Sequence, residues 1–403
     1  MKKGWATKPL VEVCDVFADG DWIETKDQSA NGIRLIQTGN IGEGVFKGRE
    51  SKARYISAKT FSRLNCTQVL PGDCLISRLP DPVGRSCLLP ETGEQMITAV
   101  DCTIVRFKAT AMLPEFFNFY SQSDEYLRAV DAETTGTTRK RISRSKLGQV
   151  EIPVPPLPEQ RSIVAILDEA FEGIAAAKAN AEKNLRNARE AFEAALTASL
   201  DAASAEGRTS RLGDLVTRLT NGYVGPTRTI YTINGVPYLL ARHVKNNKLQ
   251  FDEKTYVSDA FNKRNSKSIL REGDVLLVQS GHIGHSAVVP QEHEGHNCHA
   301  MIVISTKPGT VTGDYLSLFF NSARMRRAFW VIRSGSTVPH LTCKAVKELE
   351  IPIPPLDSQA SLVSRSHSLR SESDLLCDAM ARKMGALDEL KAFLLHQSFT
   401  GQL

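Results

Sequence analysis

One proline-rich segment occurs twice in this chain of 403 residues, as Glu151-Ile-Pro-Val-Pro-Pro-Leu157 and again as Glu350-Ile-Pro-Ile-Pro-Pro-Leu356. The flanks align with it. Gly136-Thr137-Thr138 matches Gly335-Ser336-Thr337, Ile142-Ser143 matches Leu341-Thr342, and Glu115–Tyr120 matches Asp314–Phe319. Farther upstream the correspondence continues with small shifts: Tyr55-Ile-Ser57 with Tyr256-Val-Ser258, Gly72-Asp73 with Gly273-Asp274, and Gly84-Arg85-Ser86 with Gly284-His285-Ser286. Drifting offsets between shared segments are what loop insertions leave behind. A period this long is a duplicated domain, not a solenoid of short units.

Both halves read in the same order. Short apolar runs between Gly, Asn and Asp predict strands at Gly32–Ile41, Asp73–Ser77, Ser86–Leu89 and Thr103–Phe107. Their counterparts are Val236–His243, Asp274–Gln279, Ala287–Val289 and Met301–Ser305. A helical stretch follows in each half (Pro114–Val130 and Asp314–Ile332), then the proline junction, then a long helix. Leu167, Phe171, Ile174, Lys178, Ala181, Leu185, Ala188, Phe192 and Ala195 fall at alternating steps of four and three, a coiled-coil seam. Leu376, Met380, Lys383, Leu387, Leu390 and Leu394 repeat the spacing in the second copy. The expected fold is α+β: two tandem β-rich domains, each followed by a long helix, the two helices pairing as an antiparallel coiled coil. The boundaries are 1–150 for the first domain, 151–200 for its junction and helix, 201–208 for a small polar linker, 209–349 for the second domain and 350–403 for its junction and helix. A helix covering only its own domain would not need such length, since globular helices seldom exceed about 20 residues.

Composition narrows the function. No apolar run reaches membrane-spanning length, and MKKGWATKPL has no apolar stretch of the kind a secretory signal carries. The eight scattered cysteines contain no C-x-x-C pair and suit buried thiols in a reducing compartment, so a cytoplasmic location is expected. No phosphate-binding G-x-x-x-x-G-K-[ST] loop occurs, and no Asn-Pro-Pro-Tyr or Asp-Pro-Pro-Tyr segment of the DNA amino-methyltransferase type. This points to a binding protein, not an enzyme. His293, His296, Cys298 and His299 are spaced unlike any standard structural zinc site, and polar loop side chains are the expected reading, with no metal.

A net charge of +5 permits a nucleic-acid partner, and the local charge pattern locates candidates. Arg139-Lys140-Arg141 opens a run reaching Lys146 directly behind Thr137 and Thr138; hydroxyls, free amides and cations together suit phosphate. Ser336, Thr337 and His340 stand at the equivalent place with fewer charges. Loop side chains able to bond base edges come in corresponding pairs: Arg78 with Gln279 and His282, Arg85 with His285, and Gln37 and Asn40 opposite Arg242 and His243. Different polar residues at equivalent positions are what two readers of different sequences require.

Pro155-Pro-Leu-Pro-Glu-Gln160, followed by Ile163-Val164 and Leu167, resembles the junction of the specificity subunit of type I restriction-modification systems. The second junction departs, with Asp357-Ser-Gln359 in place of the Glu-Gln pair, and predicts a helix that begins differently. The resemblance implies two target-recognition domains, each reading half of a split site in double-stranded DNA, with the helix pair as a ruler. It also implies two methyltransferase subunits docked on the helices and restriction subunits carrying motor and nuclease. S-adenosylmethionine, ATP and Mg would then sit on those partners, leaving this chain non-catalytic while it directs adenine methylation and restriction. The apolar helix positions expected to serve docking are Leu167, Phe171, Ile174, Leu185, Phe192, Leu376, Met380, Leu387, Leu390 and Leu394. A non-catalytic scaffold without DNA preference is the alternative; it would not need two diverged copies of a polar-loop domain.

Overall fold

A computed structural model describes residues 4–136, 139–245, 247–252, 254–335 and 339–402. The chain forms two compact units: unit 1 is Met1–Ala181 with Ala381–Leu403, and unit 2 is Glu182–Met380. In unit 1 an antiparallel four-stranded sheet runs in the order Cys14–Asp19, Cys102–Phe107, Cys74–Ser77, Ser86–Leu88. A five-stranded mixed sheet has the order Gln28–Ser29, Tyr55–Ile56, Ile33–Ile36, Met96–Thr98, Gln68–Val69. Its Ile33–Ile36 and Met96–Thr98 strands are parallel. Unit 2 repeats the plan with Val216–Asn221, Met301–Thr306, Val275–Val278 and Ser286–Val288, and a smaller mixed sheet in which Val236–Leu239 runs parallel to Asn297–Cys298.

The inner strands of the four-stranded sheets, such as Cys74–Ser77 and Val275–Val278, are covered on both faces, which is why their sequences are apolar runs without polar alternation. In unit 1, Leu75, Cys87, Cys102 and Ile104 face the mixed sheet. Cys74, Ile76, Val105 and Phe107 face the helices, packing on Phe116, Phe117, Tyr126, Ile163 and Leu167. Unit 2 divides its side chains likewise, Leu276, Val278 and Val303 to one side and Val275, Leu277, Ile302 and Ile304 to the other. Each predicted helical stretch is two helices, Pro114–Tyr120 and Asp124–Ala132 in unit 1, Gly313–Phe320 and Ala323–Ile332 in unit 2. Ser123 and Ser322 cap the second member of each pair by accepting a backbone N–H, and that capping sets the break.

The proline segment is a strand, Glu151–Val154 or Glu350–Ile353, pairing antiparallel with Ala6–Pro9 or Arg208–Arg211. The long helices follow at once, Leu157–Glu206 and Leu356–Thr400. Both begin alike, contrary to the expectation for the second junction. The shared residue is a buried glutamine: Gln160 bonds Leu113 N, Ala111 O and Pro155 O, while Gln359 bonds Thr312 N, Thr310 O and Pro354 O. The departure in sequence touches only the exposed or half-buried residues before it. The expected linker 201–208 is also corrected. Its residues through Glu206 continue the helix, with Leu200 and Ala203 buried, because alanine-rich, proline-free sequence has no reason to leave the helix. The chain turns at Gly207, where a Cβ would meet Ile353 O at 2.3 Å.

Within each unit, the segments of the two long helices run antiparallel. In unit 1, Ile163 and Leu167 share a core with Leu395 and Phe399, Lys391 Nζ lies 4.8 Å from the Phe171 ring centroid, and Lys178 pairs with Asp388. In unit 2, Arg370 lies over Phe192, and Ser358 bonds Glu206. The seam of the first helix follows the expected positions. That of the second is shifted: Leu376, Lys383 and Leu390 are exposed, and Cys377, Met384 and Lys391 take the inward places beside Met380, Leu387 and Leu394.

Candidate nucleic-acid interface

In unit 1 the basic run forms a strap. Thr135 and Arg141 bond each other's backbone, Gly136 takes a positive φ at the bend, and Ile142 N donates to Arg78 O. The strap therefore crosses the end of the strand Cys74–Ser77. Its cations are largely compensated: Lys140 pairs with Asp131 at 2.6 Å, Arg141 with Asp101 at 2.8 Å, Lys146 with Glu133 at 3.2 Å and Arg144 with Asp19 at 3.9 Å. Arg139 is exposed without an ion pair among the described residues. Thr137, Thr138, Ser336 and Thr337 lie outside the described residues.

Arg78 and Arg85 do not face solvent, which corrects their assignment as base readers. Arg78 is 4 % exposed, donates to Val100 O at 2.6 Å and faces Asp19 at 3.2 Å. Arg85 donates to four carbonyls, Thr38 O, Ile41 O, Leu79 O and Pro82 O, at 2.7–2.9 Å. A guanidinium buried among carbonyls and a carboxylate is turned away from solvent and does not reach a base edge. Asn40 is likewise structural: Oδ1 accepts Gln37 N, and Nδ2 donates to Lys47 O and Gly48 O. Gln37 is half-buried and lines an open cleft with Arg49, Lys52 and Arg54. Those three cations escaped the sequence reading because Glu50 interrupts them and no run forms.

Unit 2 has the same frame with different side chains. Its strap is closed by backbone bonds between Ser334 and His340, and Leu341 N donates to Gln279 O. His243 is buried, its Nδ1 accepting Leu240 N, so it replaces Asn40 as a turn lock and does not reach outward. Arg242 is exposed, and Gln279 is 9 % exposed. His282 is exposed and stands edge-on to half-buried His285 with ring centroids 6.2 Å apart. Burial, then Arg326 and His282, lower the affinity of His285 for a proton. The helix positions expected to dock partners are placed too. Leu167, Ile174 and Phe192 are buried within their own units, Phe171, Leu185, Met380, Leu387 and Leu394 are half-buried, and Leu376 and Leu390 are exposed.

The histidine cluster separates. His293 and His296 meet Nδ1 to Nδ1 at 3.2 Å, Cys298 is buried in the β-core, and His299 turns toward Tyr223 and Tyr238. Burial, then the neighbouring His293, lowers His296 from 6.5 to about 4; burial also lowers His293 and His299. These groups are neutral when folded and take up protons on unfolding. Their contribution is complete above 6.5 and is lost as pH falls toward 4. Unit 2 should therefore lose stability across that window, and H293Q/H296Q should flatten the loss. Denaturation midpoints from pH 7.5 to 4.5 for both proteins check this; parallel curves would refute it.

The profile of the type I restriction modification DNA specificity domain matches residues 2–184 and again 206–375. The chain belongs to this family. Among its curated relatives, the EcoBI specificity subunit of Escherichia coli is 22% identical over 71% of this chain and 65% of the relative, so the match falls short of that protein's full length. The EcoKI specificity subunit of Escherichia coli strain K12 is 20% identical over 100% of this chain and 90% of its own. The fold is shared with a chain from a type I R-M system, solved in work on complex assembly and conformational transition, at TM-score 0.76 and 19% identity, covering 100% of this chain and 99% of that one. The HsdS subunit from Thermoanaerobacter tengcongensis aligns at TM-score 0.58 and 19% identity, over 100% of this chain and 98% of its own. The two profile matches fall on the two copies of the family's domain, and among the described residues no helix is long and apolar enough to cross a membrane.

Proposed function

We propose that the chain is the DNA-reading subunit of a type I restriction-modification complex, each β-rich unit binding one half of a split duplex target. One observation carries this: the two units share a buried frame and differ in the loops that frame presents. The frame is the Gln160 or Gln359 staple and a buried aspartate held by an arginine, Asp73 by Arg106 in unit 1 and Asp274 by Arg218 in unit 2. The loops differ in charge and length at matched places. Partners supply the chemistry: methyltransferase subunits carrying S-adenosylmethionine dock along the helices, and restriction subunits carrying ATP and Mg join them, in the cytoplasm.

Mapping methylated adenines across a genome, with and without this chain, tests the reading. The expected result is methylation at one two-part sequence that vanishes without the chain. Methylation unchanged by its removal, or a purified complex with no preference among duplexes, would leave a scaffold as the better description.

A further inference from the structure

We infer that unit 1 grips DNA through the cleft between Gln37 and Arg49–Arg54, with the strap at Arg139–Lys146 secondary; this rests on the DNA-reading function proposed above. The cleft is open, about 450 Å³, and lined by Gln37, Asn40, Arg49, Lys52, Ala53 and Arg54. Its floor is fixed. Arg34, 4 % exposed, bonds Gly48 O and holds Glu50 and Glu94, each at 2.9 Å, while Asn40 ties down Lys47 O and Gly48 O. Glu50 is thus tied to the floor by Arg34, which it shares with Glu94. Arg49, Lys52 and Arg54 are exposed and form no ion pair among the described residues. Three uncompensated cations around one half-buried amide present phosphate-binding charge beside a group that can bond a base edge.

Two further details tie the cleft to one reading head. Arg49 lies against Gly39, where any Cβ would meet its Nη1 at 1.8 Å, so glycine there lets the guanidinium sit beside the turn after Gln37. Unit 2 matches the surrounding backbone: Lys47 N donates to Asn40 O as Gln250 N does to His243 O, and Leu35 N donates to Arg54 O as Tyr238 N does to Thr255 O. Between those anchors unit 2 is shorter and reads Phe251-Asp-Glu-Lys254. Leu240 replaces Gln37, and Arg242 fills the place of Gly39. Thr255 stands at the place of Arg54, so the side-chain set of this cleft is not repeated at the matched positions of unit 2. The strap cations, by contrast, each face an acid except Arg139.

The test uses the full chain assembled with its methyltransferase subunits and a pool of random-sequence duplexes, selected and then titrated across salt concentrations. Losing three phosphate contacts in R49A/K52A/R54A should reduce the slope of log affinity against log salt by about two to three, at roughly 0.9 per contact. Q37A should keep that slope while relaxing base preference in one half of the selected sequence. The strap variant R139A/R141A/R144A/K146A should change the slope by less than the cleft variant. All substituted side chains except Gln37 are exposed, so unfolding is checked by an unchanged melting temperature. If the cleft variants match wild type in slope and selection while wild type selects a two-part sequence, the cleft assignment is overturned and the DNA-reading function stands. If wild type selects no sequence, both fall.

Discussion

Phe399→Ala should cost unit 1 about 3–5 kcal/mol, the range for truncating a buried phenylalanine. Phe399 is 1 % exposed near the end of the second long helix. It meets Phe116 edge-on at 5.4 Å and Tyr120 at 5.1 Å, beside Leu395. The cavity would open between that helix and the helices covering the four-stranded sheet, where densely packed neighbours can collapse only in part. Hydrogen exchange separates a local effect from a global one. Amides of Cys102–Phe107 should lose protection, while those of Met301–Thr306 in unit 2 keep theirs. Phe399→Leu should recover part of the loss. A cost below about 1 kcal/mol would show that the helix end is not seated in this core.

Arg85→Ala should be nearly as damaging, at about 3–5 kcal/mol. The substitution removes a buried cation and strands four carbonyls at once, each costing about 1–3 kcal/mol when left unpaired and dry, partly offset by relaxation and water entry. Arg85→Lys should rescue little, because a single ammonium cannot span acceptors arranged for a planar fork. The measurement is the denaturant midpoint beside DNA selectivity. Binding should fail in proportion to the fraction unfolded, with sequence preference intact in the folded remainder. An Arg85→Ala protein as stable as wild type but blind to sequence would return this residue to the reading surface and overturn its structural role.

That contrast shows what the sequence could reveal. Duplication, the four apolar strand segments of each half and the first helix seam were legible, because periodicity and repeated turn residues record backbone geometry directly. Polar residues in loops were not. Arg78, Arg85, Asn40 and His243 looked like readers because side-chain chemistry was visible and burial was not; all four brace turns. The basic strap looked strongly charged because its acids, Asp19, Asp101, Asp131 and Glu133, are distant in sequence or lie outside the run. The second helix misled through a related gap. The four-and-three spacing was read through Leu376, Lys383 and Leu390, whereas the inward places take Cys377, Met384 and the aliphatic stem of Lys391. The repeated Gly-Asp segment signalled a shared element, but not that its aspartate takes an arginine from Cys102–Phe107 in one copy and from Val216–Asn221 in the other.

Unit 2 is one continuous stretch of chain, whereas unit 1 is closed by a segment that begins at Ala381. On a ribosome, synthesis runs from the amino end. The first β-rich unit would emerge with its aromatic face at Phe116 and Tyr120 uncovered, and would wait for Phe399 until the whole second unit had followed. The later half of the molecule can complete its fold first, and the earlier half depends for that interval on whatever shields an exposed hydrophobic surface in a growing cell.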